Sequence, residues 1–206
     1  FMPTDTSDHT CLTKIPHIRH IITTNYDTLI EDAYGSDNCY VVRTTDDCVN
    51  LPKDKTIIYK IHGDFTKKEN IILTKQDYTN FFSSNNEPLL WKYIQSHILT
   101  NDMLFIGYSL EDSNIFTLIQ EIRKQVKVDT RKYFLIAPGL YYHKIERLAK
   151  TKIKYFNAKA EDLFPILFET LNKKIKSDYQ RKYICLDTFR RYSNQHFLQP
   201  IVEEGQ

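Results

Sequence analysis

The sequence predicts an α/β domain built as a three-layer sandwich, with helices on both faces of a mostly parallel central sheet. Short apolar runs alternate along the chain with segments of helical periodicity. Two of the runs, Met103–Ile106 and Tyr133–Ala137, are continuously apolar. Continuous runs are typical of strands that are covered on both faces, and such strands belong to parallel sheets connected by helices.

The first 61 residues contain three predicted strands and one well-marked helix. We expect strands at 18–22, at 40–42 and at 57–61. A helix follows the first strand, with Asp27 as its expected N-cap and Gly35 as its end.

The remaining predicted elements continue the alternation of strands and helices. They are a short apolar run at 71–73, a helix through 77–82, a helix at 89–98, a strand at 103–106, a helix from Asn114, a strand at 133–137, a helix at 141–150, a strand at 152–156 and a helix at 160–176. We expect one domain over residues 1–176. Residues 177–206 are expected to be a basic helical extension or the start of a following region.

The composition allows a packed core and gives no global sign of a charged partner. Of 206 residues, 41% are apolar and 26% are charged, and the formal net charge is +2. Nothing in this balance indicates nucleic acid or an anionic membrane as a partner. No apolar run approaches the roughly 18 residues of a membrane helix, and no signal peptide is visible. We therefore expect a cytoplasmic protein.

The cysteine pattern does not indicate a metal site. None of the four cysteines forms a C-x-x-C pair, and Cys39 and Cys48 are nine positions apart. This is poor spacing for zinc. We expect reduced thiols and no metal cofactor.

Polar clusters follow three of the predicted strands, at 23–27, 62–64 and 107–109. In an open parallel sheet the carboxyl ends of the strands lie along one edge, and ligands bind there. The pattern therefore predicts that four side chains from three separate segments converge on one crevice: Asn25, Asp27, His62 and Ser109.

Each cluster also has a simpler structural interpretation. These interpretations are turn and N-cap residues for Asn25 and Asp27, a backbone-bonded loop histidine for His62, a strand-to-helix turn at Gly107, hydrogen bonding of Ser109 to helix amides, and packing for Tyr26 and Tyr108. The combination of three clusters favours a binding site over these interpretations.

Four ordered motifs resemble the sirtuin-like superfamily. They are TTNYDTLIE from Thr23, KIHGD from Lys60, IILTKQDY from Ile71 and LFIGYSLEDSNI from Leu104. The resemblance covers roughly residues 18–170 and is strongest to the zinc-less bacterial branch found in anti-phage defence proteins that destroy NAD+. It implies a Rossmann-like fold.

The resemblance also implies roles for individual residues. Asn25 and Asp27 match family residues beside the nicotinamide and its ribose. His62 matches a histidine that acts on the ribose hydroxyls as a general base or as an orienting group. The implied nucleotide-binding positions are Thr23, Thr24, Tyr26, Gly63, Gly107, Tyr108 and Ser109.

The activity implied by the resemblance is hydrolysis of NAD+ to ADP-ribose and nicotinamide in abortive infection. Sirtuin deacylases carry a four-cysteine zinc module after the histidine, whereas residues 63–106 contain no cysteine. The implied partners are a homo-oligomer or neighbouring domains, and an activator that is phage-derived or a nucleotide. The main alternative is an inactive domain that binds NAD+ or ADP-ribose, or that serves in assembly. Nucleic-acid binding by the basic, aromatic tail is less favoured than contact of that tail with a domain or protomer.

One departure from the family concerns the phosphate-binding turn. The family has a glycine-rich turn after its first strand, whereas this chain has five glycines and no G-x-G. No glycine precedes Asn25, and the chain begins at Phe1. We expect a fragment whose missing N-terminal segment carries the amides that hold the diphosphate.

Overall fold

The computed structural model describes residues 5–66, 71–72, 89–107, 131–151 and 153–195. The chain divides into two compact units, of which the first comprises Phe1–Asn80 with Phe164–Gln206 and the second comprises Phe81–Leu163. The boundary between residues 163 and 164 lies within the helix Ala160–Gln180.

The first unit contains a parallel three-stranded sheet. Its strands are β1 (His20–Thr23), β2 (Cys39–Val42) and β3 (Thr56–Lys60), in the order β1-β3-β2. All five residues of the central strand β3 are buried. The register pairs Thr23 with Lys60, so the carboxyl ends of β1 and β3 are level with each other.

Helices α1 (Ser7–Thr13) and α2 (Leu29–Tyr34) pack on this sheet. Tyr34 is buried in a cluster whose other members are Cys39, Ile58, Leu12, Ile21 and Ile30. Burial raises the pKa of the Tyr34 phenol to about 12. A short 3₁₀ helix, Asp46–Cys48, follows β2.

Helix α2 begins one residue later than the sequence predicts. Thr28, not Asp27, occupies the N-cap position. The Asp27 carboxylate instead accepts a hydrogen bond from the Leu29 amide at 3.2 Å, a local turn that competes with capping for the same donors.

Gly35 ends α2 as predicted, with φ 72° and ψ 153°. This region of backbone space is open essentially to glycine alone. A Cβ at this position would meet no atom within 4 Å, so its cost would be conformational rather than steric.

We expect Gly35→Ala to lower the free energy of unfolding by about 2 kcal/mol. Urea unfolding measures this, with Ser36→Ala as a neighbouring control that should stay within about 0.5 kcal/mol of the parent. Equal stability of the two variants would contradict it.

The second unit contains a second parallel sheet. Its strands are β4 (Met103–Ile106), β5 (Tyr133–Ile136) and β6 (Ile153–Phe156), in the order β4-β5-β6. Helix α3 (Leu89–Thr100) packs beside β5, since the Tyr133 hydroxyl donates to the Ile98 carbonyl at 2.9 Å. Helix α4 (Tyr142–Lys150) leads into β6.

Two helices complete the described chain: α5 (Ala160–Gln180) and α6 (Leu186–Gln195). They enclose a core cluster made of Ile175, Phe189, Tyr192, Phe168, Tyr179 and Ile184. Arg191 on α6 donates to the Thr56 hydroxyl at 2.8 Å and so ties the tail to β3. Helix α5 runs without a break across position 176. The separate extension at 177–206 stays a prediction.

The predicted fold class is confirmed, because every described strand pairing is parallel and α-helices lie between β1 and β2 and between β5 and β6. The helices predicted at 77–82 and from Asn114 lie outside the described residues. Among the residues the structure describes, no helix has both the length and the apolar character to cross a membrane.

Candidate functional site

The carboxyl ends of β1 and β3 carry two loops that are joined by hydrogen bonds. The first loop is residues 24–28 and the second loop is residues 61–66. The strand pairing continues past Lys60, because the Ile61 amide donates to the Thr23 carbonyl at 3.2 Å. Asn25 and His62 each lie two residues beyond the paired ends, so both are at the same edge of the sheet.

The backbone of the first loop is fixed while the Asn25 side chain remains exposed. The backbone amide of Asn25 donates to the hydroxyl of Thr23 at 3.1 Å, and Thr23 itself is buried. At the other end, Asp27 is half-buried and its carboxylate accepts from the Leu29 amide. Thr24 is also half-buried. The Asn25 side chain is therefore exposed to solvent on a turn that hydrogen bonds hold at both ends.

The second loop holds His62 against the first. His62 is 5% exposed, and its ring centroid lies 6.3 Å from that of Tyr26. The Phe65 amide donates to the Tyr26 carbonyl at 3.2 Å. Ile72 is hydrogen-bonded to both His62 and Tyr26. Its amide donates to the His62 carbonyl at 3.0 Å, and its carbonyl accepts from the Tyr26 hydroxyl at 2.7 Å. Burial raises the pKa of the Tyr26 phenol.

Gly63 makes the sharp turn that ends β3. Its φ is 76°, a left-handed conformation that favours glycine, and its amide donates to the Lys60 carbonyl at 3.0 Å. This turn changes the direction of the chain within the second loop, just after the buried strand.

The remaining predicted positions belong to the end of β4. Gly107 ends that strand in the second unit, is exposed, and has φ 64°. Tyr108 and Ser109 lie outside the described residues. The structure thus brings together the two loops of the first unit. The convergence of Ser109 with Asn25, Asp27 and His62 stays a prediction.

Metal ligands are not clustered in the part of the chain that the structure describes. No group of three or more histidine, cysteine, aspartate or glutamate side chains there has the geometry to hold a metal ion. All four cysteines are free thiols.

The family is settled by sequence comparison. Residues 19–156 match the family described as SIR2-like domain. The chain belongs to the SIR2-like domain family. The predicted sirtuin-like resemblance is therefore confirmed, and the matched range contains both loops and the end of β4.

Curated relatives include proteins of phage defence. The chain is 38% identical over 122 residues to Defense-associated sirtuin 2 of Bacillus subtilis, a match that covers 57% of this chain and 12% of that protein. It is 29% identical over 161 residues to the NAD(+) hydrolase ThsA of Cytobacillus dafuensis, covering 75% of this chain and 32% of that protein. It is 30% identical over 136 residues to the NAD(+) hydrolase ThsA of Bacillus cereus (strain MSX-D12), covering 64% and 28%. The chain thus spans about a third or less of the length of these relatives.

Two buried ion pairs of this SIR2-like domain were not predicted from the sequence. Lys60 on β3 lies 3.0 Å from the Glu31 carboxylate on α2. Arg43, which follows β2, lies 2.5 Å from the Asp64 carboxylate in the second loop. A signal for the first pair was present, because Lys60 is a charged residue inside an otherwise apolar buried strand and therefore needs an opposite charge.

Asp64 is fully buried and has several hydrogen-bond donors. Burial by itself would raise the pKa of its carboxyl group. Hydrogen bonds from Thr66 and Arg43 outweigh that effect and hold the pKa below the ordinary value of 3.8. Thr66 contributes its amide at 2.8 Å and its hydroxyl. The second loop is therefore anchored by an ionised carboxylate directly after the His62-Gly63 turn.

Proposed function

We propose that the full-length protein hydrolyses NAD+ to ADP-ribose and nicotinamide, as a step of abortive infection against phage. The observation that carries the proposal is the meeting of the Asn25 and His62 loops at one sheet edge in a SIR2-like domain. The names of the curated relatives, NAD(+) hydrolase and defense-associated sirtuin, support both parts of it.

The proposed reaction breaks the bond between the ribose C1′ and the nicotinamide nitrogen. The electron pair of that bond leaves with nicotinamide, which becomes neutral, so no general acid is required. Water supplies the oxygen that bonds to C1′ and releases one proton. The transition state resembles an oxocarbenium ion, as in other glycosidic cleavage. The enzyme must therefore position the sugar, stabilise its positive charge and accept a proton.

The polar side chains of the two loops suit these tasks. The Asn25 amide can donate and accept, so it orients the carboxamide of nicotinamide or the attacking water. The Asp27 carboxylate stabilises positive charge on the ribose. His62 accepts a proton or orients the ribose hydroxyls.

The nucleotide-binding positions act in this proposal mainly by fixing the backbone of the segment that each belongs to. The Thr23 hydroxyl and the Tyr26 hydroxyl already bond to Asn25 and Ile72. The glycines at 63 and 107 provide turns with positive φ where side chains would be strained. Thr24, Tyr108 and Ser109 complete the proposed set. We further propose a cytoplasmic protein that needs no metal, works as an oligomer or with neighbouring domains, and responds to a phage-derived or nucleotide activator.

Asn25→Ala provides the first test. We expect NAD+ turnover by the full-length protein to fall about 100-fold, the usual cost of losing one oriented polar group in an active site. Nicotinamide and ADP-ribose are quantified by chromatography after addition of NAD+. Asn50→Ala removes an exposed asparagine from a loop elsewhere and should leave turnover unchanged.

The product pattern separates the competing functions. Unchanged turnover by Asn25→Ala would reject the role of this residue. Deacylated peptide formed only in the presence of NAD+ would indicate a sirtuin deacylase instead. Binding of NAD+ or ADP-ribose by the full-length protein without turnover would indicate an inactive binding domain.

A further inference from the structure

Lys60 is a buried lysine at the end of β3, with 1% of its surface exposed. Burying an ammonium group is costly unless opposite charge and hydrogen-bond acceptors compensate it. Two groups do so here. The Glu31 carboxylate lies 3.0 Å from the Lys60 nitrogen, and the Asp27 backbone carbonyl accepts a hydrogen bond from the same nitrogen.

We propose that Lys60 is a positioning residue for the candidate site, holding the first loop in place through the Asp27 carbonyl. The proposal rests on the function proposed above and deepens it. Glu31 places its carboxylate beside the Lys60 nitrogen that bonds to that carbonyl, while Asn25 and Asp27 face the substrate.

The position of Lys60 links both loops through one residue. Its side chain reaches from β3 to the first loop, two residues beyond Asn25. Its carbonyl accepts the Gly63 amide and so supports the turn after His62. Lys60 therefore contacts the loop that carries Asn25 through its side chain and the turn after His62 through its backbone.

The charge balance also suits the proposed chemistry. An isolated cation under the first loop would oppose positive charge on the ribose and offset the effect of Asp27. Glu31 is 10% exposed, and its carboxylate oxygens make no hydrogen bond among the described residues, so Lys60 is its counter-charge. The pair is neutral overall. It can hold the loop without weakening the field that the reaction needs.

The test uses the full-length protein with the double substitution Lys60→Met and Glu31→Gln. This variant leaves neither charge buried alone, so it should fold with a melting temperature close to that of the parent. We expect kcat for NAD+ hydrolysis to fall about 100-fold, because a misplaced loop disturbs the geometry of reaction. Hydrogen exchange of the backbone amides of Asn25 and Leu29 should become about ten-fold faster.

A matched control is Lys55→Met. Lys55 is a partly exposed lysine whose ammonium donates to the backbone carbonyl of Ser36 at 2.9 Å, away from the candidate site. This substitution should change neither kcat nor exchange in the first loop. The comparison separates loss of a lysine–carbonyl bond in general from loss of the bond at Asp27.

Two results would overturn the proposal: parental kcat in the double variant, or unchanged exchange at Asn25 and Leu29. If that variant does not fold, Lys60→Gln with Glu31→Gln replaces the ion pair by two amides that can bond each other, and the same expectations apply. If the parent protein does not hydrolyse NAD+, the proposed function fails. The exchange measurement then still decides whether Lys60 holds the loop.

Discussion

Replacing His62 with alanine should lower NAD+ turnover by about two to four powers of ten, the range that a positioned proton acceptor contributes. The structure gives a physical reason for so large an effect. His62 is 5% exposed, its ring lies near Tyr26, and its carbonyl is bonded to the Ile72 amide. Alanine at this enclosed position supplies neither a proton acceptor nor a hydrogen-bonding group.

His62→Gln distinguishes the two roles proposed for the imidazole. Glutamine forms hydrogen bonds but does not accept a proton at neutral pH. If His62 orients the ribose, glutamine should restore about a tenth of parental kcat, since its amide replaces one hydrogen bond. If His62 is the proton acceptor, glutamine and alanine should be equally low.

The control for both substitutions is His143→Ala on α4, which removes an exposed histidine stacked on Tyr141. Steady-state rates and melting temperatures are measured for all three variants. A His62→Ala variant that is folded and turns over NAD+ within two-fold of the parent would remove His62 from the proposed chemistry.

The strands were predictable because their signal is local. The apolar runs at Ile57–Ile61, Met103–Ile106 and Tyr133–Ala137 each coincide with an observed strand to within a residue or two. Parallel pairing followed from the same continuous apolar pattern. The start of α2 was predicted one residue too early, since capping and an Asx-type turn at Asp27 use the same kind of donor and the sequence does not say which is formed.

The ion pairs were not predictable because they depend on tertiary placement. Glu31 and Lys60 are on a helix and a strand that are separated in sequence by β2, and Arg43 and Asp64 are 21 positions apart. Sequence patterns indicated where the two loops end up, at the carboxyl ends of neighbouring strands. They did not indicate which buried charges hold those loops in shape.

Asp64→Asn should lower the free energy of unfolding by about 3 kcal/mol, the lower end of the cost of breaking a buried ion pair. Asp64 is fully buried, whereas Arg43 keeps 19% of its side chain exposed and so retains some hydration when the pair is broken. Asparagine offers one acceptor oxygen where the carboxylate serves both Thr66 and Arg43. One of these donors must therefore lose its partner.

Urea unfolding at neutral pH measures this loss, and Asp37→Asn is the matched control. Asp37 is an exposed aspartate outside the two loops, so its substitution should stay within about 0.5 kcal/mol of the parent. Because Asp64 anchors the second loop directly after His62, we also expect Asp64→Asn to lower NAD+ turnover while Asp37→Asn leaves it unchanged.

The same substitution predicts a specific pH dependence. The pKa of Asp64 is lower in the folded protein than its ordinary value of 3.8. A depressed folded-state pKa gives stability that is complete above the unfolded-state value of about 4 and is lost as pH falls through the folded-state value. The difference in stability between the parent and Asp64→Asn should therefore be constant from neutral pH down to about pH 4 and shrink below it. A difference that stays constant through that acid range would mean that Asp64 is not held ionised by Arg43 and Thr66.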